Sequence, residues 1–386
     1  MKRNLPRMCV IVTTPMVIHF FFRPHLRELS QYFDLTLAYN QQSDQYLQPL
    51  NLPASEVDVG LERKITPLRD LLSFLRILSL FRRKHFDIVV SLVPKAGLLG
   101  MLAAWVFRVP HRVHIFQGEV WAARRGPMRW LLKSLDSLTA RLATDVLVVS
   151  ASERSFMERE GVIPPNKGKV LGAGSICGVD TARFRPAPCV RDLVRARFGI
   201  PEQAVVCIFL GRLTIDKGVL ELAKAFAQSA EHKTDLWLLL VGPDEDQIEQ
   251  RLRELVPKEL NSRMLTLGFT EHPEQFLAAA DFLCLPSHRE GFGMVVIEAA
   301  AVGIPAIGTR IHGITDAIED GCTGRLVAVG DVNALAGAIT RWCEYPQERS
   351  SYAARAHDRV KSLFKQDRVV REYVEFFRDL FSGEVH

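Results

Sequence analysis

The sequence lacks the features that mark several protein classes. No apolar run reaches the roughly 18–20 residues a membrane-spanning helix needs. None of the seven cysteines (Cys9, Cys177, Cys189, Cys207, Cys284, Cys322 and Cys343) stands in a C-x-x-C pair, which argues against a zinc site. Several lie in apolar strand-like runs, where a buried free thiol suits a reducing compartment. No segment is depleted enough in apolar residues for long disorder. No RNA- or DNA-binding motif accompanies the basic residues, so no nucleic-acid partner is expected. The formal charge of +5 is mild.

What is present is ordinary for a folded chain: 386 residues, 48% apolar and 24% charged, enough for two domains. The basic start (Lys2, Arg3, Arg7) before Met8–Phe22 superficially resembles a signal peptide. Pro15 and His19 interrupt that stretch, however, and no small-x-small cleavage site follows. A first strand over Met8–Thr13 fits better.

Short β-rich apolar runs alternate with amphipathic segments through the first half. Strands are expected at Met8–Thr13, Asp34–Ala38, Ile88–Leu92, Arg112–Phe116, Asp145–Val149 and Lys169–Leu171, with helices between them. Gly172–Pro188 has no clear periodicity and reads as a linker. The alternation resumes with strands at Ala204–Leu210, Leu236–Val241, Met264–Leu267, Phe282–Leu285 and Pro305–Ile307, and ends on a helix, Gln366–Phe381. The expectation is an α/β chain of two doubly wound, Rossmann-like domains with an interdomain cleft. The domains would be residues 1–184 and 185–363, with a C-terminal helix, 364–386, packing back on the first. Ligands of such sheets bind beyond the carboxyl ends of the strands.

Two strand ends carry chemistry. After Phe282–Leu285 comes Pro286-Ser-His-Arg-Glu290-Gly291-Phe-Gly293-Met-Val-Val-Ile-Glu298. Gly291 and Gly293 allow a sharp turn and close approach to a ligand. A helix starting near Gly293 would present free N–H groups and partial positive charge, a ready phosphate site. Glu290 would precede that helix and Glu298 lie in its second turn. One carboxylate can then face a sugar and the other accept from ribose hydroxyls; a surface loop and an ordinary helical Glu fit the spacing as well. After Ala204–Leu210 comes Gly211-Arg212-Leu-Thr-Ile-Asp-Lys217-Gly218. Arg grips oxygens bidentately and Lys acts as a point charge, so the pair suits a diphosphate. Cations at a positive helix end are unfavourable unless an anion offsets them.

Together these segments resemble the retaining glycosyltransferases of family 4, which have the GT-B fold. Glu290 and Glu298 match that family's E-x7-E motif, and Gly211–Lys217 its phosphate-gripping Arg and Lys. Gly178-Val179-Asp180 with Phe184 resembles the lead into its second domain, and Gly313–Asp316 with Asp320-Gly321 and Thr323-Gly324 a later loop. The resemblance implies that Glu290 contacts the donor sugar, Glu298 the ribose, and Arg212 and Lys217 the diphosphate, with Gly268–Phe269 bordering the base. It implies a nucleotide-sugar donor, UDP-linked, a hexosyl or N-acetylhexosaminyl group, and no cofactor or metal.

The first half departs from the family pattern. Many members carry His immediately before Gly in an acceptor-side strand-end loop; here Gln117 precedes Gly118, and His114 sits earlier. Gln117 and His114 are both candidates for the acceptor side, with a core role for His114 open. Lys95-Ala-Gly97 resembles a loop of capsule and O-antigen members, where Lys95 would face an anionic acceptor. Asp244-Glu-Asp246 spells a D-x-D but precedes a helix, where acidic residues stabilise the N-terminus anyway. Gly172-Ala-Gly174 misses the dinucleotide spacing.

Pro67–Lys84 is apolar on more than one face. Leu68, Leu71, Leu72, Leu75 and Leu78 are expected as the core stripe, with Phe74, Ile77 and Phe81 largely elsewhere, ringed by Arg69, Arg76, Arg82, Arg83 and Lys84. Such a helix reads as interfacial or as covered by neighbours. Phe20-Phe21-Phe22-Arg23, expected in a loop, would add a contact. A membrane surface suits a polyprenyl-diphosphate-linked glycan acceptor, and a cytoplasmic protein peripheral on the inner face of the membrane. A nucleotide-sugar epimerase, a phosphorylase of the same fold and an inactive membrane-docked scaffold are the rivals.

Overall fold

The computed structural model describes residues 5–41, 51–231, 233 and 235–382, so Lys2 and Arg3 lie outside the described residues. The chain forms two compact units, Met1–Cys177 with Asp367–His386, and Gly178–Gln366.

The first unit holds seven strands, β1 (Arg7–Ile11), β2 (Asp34–Tyr39), β3 (Ala54–Asp58), β4 (Ile88–Leu92), β5 (His111–Phe116), β6 (Asp145–Val148) and β7 (Gly168–Lys169). They pair in parallel in the order β3-β2-β1-β4-β5-β6-β7. All five residues of β4 are buried, as helices on both faces of a parallel sheet require. Strand β3, unforeseen, is Ala-Ser-Glu-Val-Asp at the edge, where a polar strand resists further pairing. The last helix, Gln366–Ser382, belongs to this unit. Its Tyr373 is buried, with the ring edge-on to His25 at 4.9 Å.

Two local expectations are corrected. Phe20–Arg23 is helical, not loop: Pro15–Val17, a π turn over Ile18–Phe22 and Arg23–Leu29 run together. Pro24 has no N–H to give Phe20, and the Phe20 carbonyl faces Cys177 Sγ at 3.9 Å instead. Phe22 is buried and Phe20 exposed. In the helix Pro67–Arg83 the faces are largely reversed, although Leu78 of the expected stripe does pack on the core. Ser73, Ile77, Leu80 and Phe81 enter the core, while Leu68 is 80% exposed and Leu71, Leu72 and Leu75 are exposed too. The inward choice is anchored by Ser73 Oγ, which donates to the Gly60 carbonyl at 2.9 Å.

The second unit holds β8 (Val205–Leu210), β9 (Leu236–Val241), β10 (Met264–Leu267), β11 (Phe282–Leu285), β12 (Ala306–Thr309) and β13 (Gly324–Val327). All pair in parallel in the order β10-β9-β8-β11-β12-β13. Arg195, buried, ties the helix Pro188–Arg197 to this sheet through Asp281 at 2.8 Å and the carbonyls of Ala204 and Ala279. Both sheets have the doubly wound form. Strand order reverses between β1 and β4 in one unit and between β8 and β11 in the other.

Candidate functional site

The reversal between β8 and β11 opens a crevice at the carboxyl ends of two neighbouring strands. Both predicted segments leave the sheet there. Beyond β8 the chain makes a short 3-10 turn, Ile215–Lys217, and then the helix Val219–Ala230. Gly218 joins them at φ +69, and a Cβ there would run into the Pro286 carbonyl oxygen. Only glycine lets the two segments touch at this point.

The contact is reinforced by side chains. Lys217 Nζ lies 2.6 Å from Glu290 Oε1, with both side chains only 15% exposed. Ser287 Oγ donates to the same Glu290 oxygen at 2.9 Å. Arg289 pairs with Asp216 at 3.1 Å and His288 with Glu221 at 2.9 Å, while the His288 N–H donates to the Asp216 carbonyl. The pairing raises the His288 imidazole above its ordinary value and lowers the Glu221 carboxyl, through their mutual hydrogen bond first. Sequence reasoning missed Asp216, Glu221, Ser287, His288 and Arg289. The available signal was the opposed charge order of 216–221 and 288–290.

Arg212 pairs with Glu245 at 2.6 Å. Protein carboxylates therefore offset both cations, so their position at a positive helix end does not by itself demand an external anion. The D-x-D acids are used locally: Asp244 accepts from the N–H groups of Ile248 and Glu249, and Asp246 from that of Ile215. Among the described residues no group of three or more His, Cys, Asp or Glu is placed to hold a metal ion.

The helix Met294–Val302 begins at Gly293 without a side-chain cap, and its positive end faces the loop. Gly291 lies just ahead, packed so closely on Gly313 that a Cβ on Gly313 would meet the carbonyls of residues 290 and 291. Glu298, in the second turn, is pushed up to about 7 by burial, with Arg183 opposing the shift and Glu274 adding to it. Arg183 is itself held by Glu274 at 2.9 Å. Gly211 follows β8, and Gly268 follows β10 with open space where a side chain would be.

The first-unit candidates separate. His114 is 1% exposed, with Nδ1 2.8 Å from Ser91 Oγ and its ring edge-on to Phe116. It packs so tightly on Gly97 that a Cβ there would strike the ring. Burial holds it neutral, down to about 3. This is the environment of a packing histidine. Gln117 stands just past β5 at the carboxyl edge, and its buried Nε2 has no hydrogen-bond partner among the described residues. Lys95 is tied to Asp70 at 2.6 Å and to the Lys64 carbonyl, so its charge is already matched.

The family described as "Glycosyl transferases group 1" matches residues 190–359, and the "Glycosyl transferase 4-like domain" matches residues 32–174. The chain is 27% identical over 326 residues to the Staphylococcus aureus "Capsular polysaccharide biosynthesis glycosyltransferase CapM", covering 84% of this chain and 85% of that one. It is 27% identical to the Escherichia coli "UDP-Gal:alpha-D-GlcNAc-diphosphoundecaprenol alpha-1,3-galactosyltransferase", covering 72% of each. The solved structure of Anabaena Alr3699/HepE in complex with UDP and glucose superposes with a TM-score of 0.81 at 18% identity, covering 97% of this chain and 100% of that one. Two doubly wound units, each matched by its own glycosyltransferase family, identify the chain as a GT-B-fold glycosyltransferase related to the family 4-like enzymes of capsule, O-antigen and lipopolysaccharide-type polysaccharide biosynthesis.

Proposed function

We propose that this chain is a retaining, metal-independent glycosyltransferase that moves a hexosyl or N-acetylhexosaminyl group from a UDP-sugar to a lipid-linked glycan. The observation that carries this reading is the contact of Lys217 with Glu290 at the β8–β11 crevice, beside the uncapped helix at Gly293. In the proposed complex the diphosphate takes Arg212, Lys217 and the N–H groups after Gly293. Glu290 then turns from Lys217 to a hydroxyl of the donor sugar. Glu298 accepts from the ribose, Gly291 lets the backbone close on the sugar, and Gly211 and Gly268 border the nucleotide. Negative charge grows on the diphosphate as the C1–O bond breaks, and the two cations with the helix end stabilise it, the role a metal fills elsewhere. The acceptor oxygen joins C1 on the face the phosphate leaves, and its proton passes to a phosphate oxygen. Gln117, with its buried amide donor, orients the acceptor; the surroundings of His114 argue against a share in proton transfer.

The UDP donor and the diphospholipid acceptor are supported by the likeness to the Escherichia coli UDP-Gal:alpha-D-GlcNAc-diphosphoundecaprenol galactosyltransferase and to the Anabaena protein in complex with UDP and glucose. A membrane-surface site is supported by the first unit. The helices Pro67–Arg83 and Gly126–Leu142 both start at the carboxyl edge of the sheet, after β3 and β5. There they expose Leu68, Leu71, Leu72 and Leu75, and Met128, Trp130 and Leu131. Arg63, Lys64, Arg69, Arg124 and Arg125 stand exposed around them. Apolar side chains within a basic rim suit the inner face of the cytoplasmic membrane. No helix among the described residues is long and apolar enough to cross a membrane.

The test is transfer from a panel of UDP-sugars to polyprenyl-diphosphate-linked GlcNAc in EDTA, with the new anomeric centre read by NMR. An α-linked donor should give an α-linked product at undiminished rate. An inverted centre, or activity lost to EDTA, contradicts the reading; donor isomerised without an acceptor would make the protein an epimerase.

A further inference from the structure

Three carboxyl groups of the first unit are buried around one loop, and none belongs to the machinery described above. Glu119, Asp136 and Glu153 are 1%, 4% and 0% exposed. Glu153 lies in the first turn of the helix Ala151–Arg159, where its own N–H donates to Ser150 Oγ at 3.1 Å. Its two carboxylate oxygens accept from different segments. Oε1 takes the Gly118 N–H at 2.6 Å, beyond β5, and Oε2 the Val149 N–H at 2.9 Å, at the end of β6. A single side chain thus clamps the loop after β5 to the next strand. The Glu119 carboxyl, from the same loop, lies against that of Glu153. Asp136 accepts from Trp121 Nε1 at 2.9 Å and fixes the other end of the loop.

Two buried carboxylates in contact cannot both be charged at low cost, so the pair holds a proton. Burial first, and then the Glu119 charge, drive the Glu153 carboxyl well above its ordinary value. Asp136 is raised to about 7 by burial, with Glu119 adding to the shift. Other titratable and charged groups near the cluster include Tyr373 from the last helix, with Cys177 and Glu372 beside it, and Arg129 and Lys133, which lie over the Trp121 ring and pair with Glu160.

We propose that Glu153 and Glu119 are a positioning pair for the acceptor loop: while they share a proton they hold Gly118, and through it Gln117, in the conformation that receives the acceptor. This rests on the acceptor-side reading of Gln117. Removing Glu153 leaves the Gly118 and Val149 N–H groups without this acceptor and releases the loop. Replacing Glu119 with Gln removes the like charge and offers Glu153 a neutral donor, so the clamp persists with Glu153 ionised. As the pH rises through the raised Glu153 value, Glu153 ionises against the Glu119 side chain and the loop is pushed off.

The experiment measures acceptor and donor kinetics from pH 6 to 9, UDP affinity by calorimetry, and hydrogen exchange over residues 117–121, for wild type, Glu153→Ala and Glu119→Gln. Glu153→Ala should lose at least tenfold in kcat/KM for the acceptor while UDP affinity stays within twofold, and should exchange faster over 117–121. The alkaline fall in acceptor kcat/KM of the wild type should be absent in Glu119→Gln. Acceptor kinetics within twofold of wild type in folded Glu153→Ala, or a wild-type alkaline limb in Glu119→Gln, overturns the proposal. If Glu153→Ala does not fold, Glu119→Gln decides. If the wild type transfers no sugar, the functional reading fails separately, and exchange alone tests the clamp: equal protection in Glu119→Gln and wild type above pH 8 would refute it.

Discussion

Glu298 links nucleotide binding to protons. Its carboxyl titrates near 7 because burial penalises the charge. Ribose hydroxyls donate hydrogen bonds, so the proposed complex needs the ionised form, and binding should release a proton. UDP affinity should therefore strengthen about tenfold from pH 6 to pH 8 and then level, following the ionised fraction of a group with that value. Glu298→Gln keeps an acceptor oxygen but has no proton to lose. It should bind UDP more weakly at pH 8, by roughly tenfold for a lost charged hydrogen bond, and lack the carboxylate's share of the pH dependence in calorimetry. An unchanged pH profile in the variant would remove Glu298 from the ribose. At this scale the glutamate pair and the two cations stood out as candidates through a family resemblance in order and spacing. Their partners were not: Lys217 meets Glu290, and His288 meets Glu221, only because β8 and β11 are neighbours in the sheet. Residues some seventy positions apart carry no local signature of contact.

Among the elements, central strands such as β4 and β8 were readable because burial on both faces forces apolar runs. Strands β3 and β13, Ala-Ser-Glu-Val-Asp and Gly-Arg-Leu-Val, were not, because an edge strand with a wet face loses that pattern. The helix Pro67–Arg83 misled for a different reason. Leucines and phenylalanines repeat at helical spacing on two faces, and periodicity cannot say which one a sheet will cover. The covered face is that of Ile77 and Phe81, which leaves Leu71, Leu72 and Leu75 outside. If that face enters a lipid surface as proposed, wild-type protein should float with phosphatidylglycerol liposomes, and less so at high salt as the basic rim is screened. Changing the three leucines to serine should cut liposome binding by well over tenfold, since burying each is worth roughly 1.5–3 kcal/mol. UDP affinity should not change. Wild-type protein left in the soluble fraction would refute the docking face.

For the whole molecule, the two-unit plan was legible in the alternation and its pause, because a doubly wound sheet needs that rhythm. The return of the last helix to the first unit rests on Tyr373 packing near His25 and Ser175, contacts across the length of the chain. The central claim is that the β8–β11 crevice of the second unit binds the nucleotide of a UDP-sugar without a metal. The most direct test is thermal stability in EDTA with UDP, GDP, ADP or no nucleotide, for wild type, Lys217→Ala and Glu298→Ala. UDP at about a hundred times its dissociation constant should add roughly 2.7 kcal/mol to wild-type stability, with little effect from the other nucleotides and a much smaller shift in both variants. No shift with UDP, or an equal shift in the variants, would contradict the assignment of this crevice as the donor site.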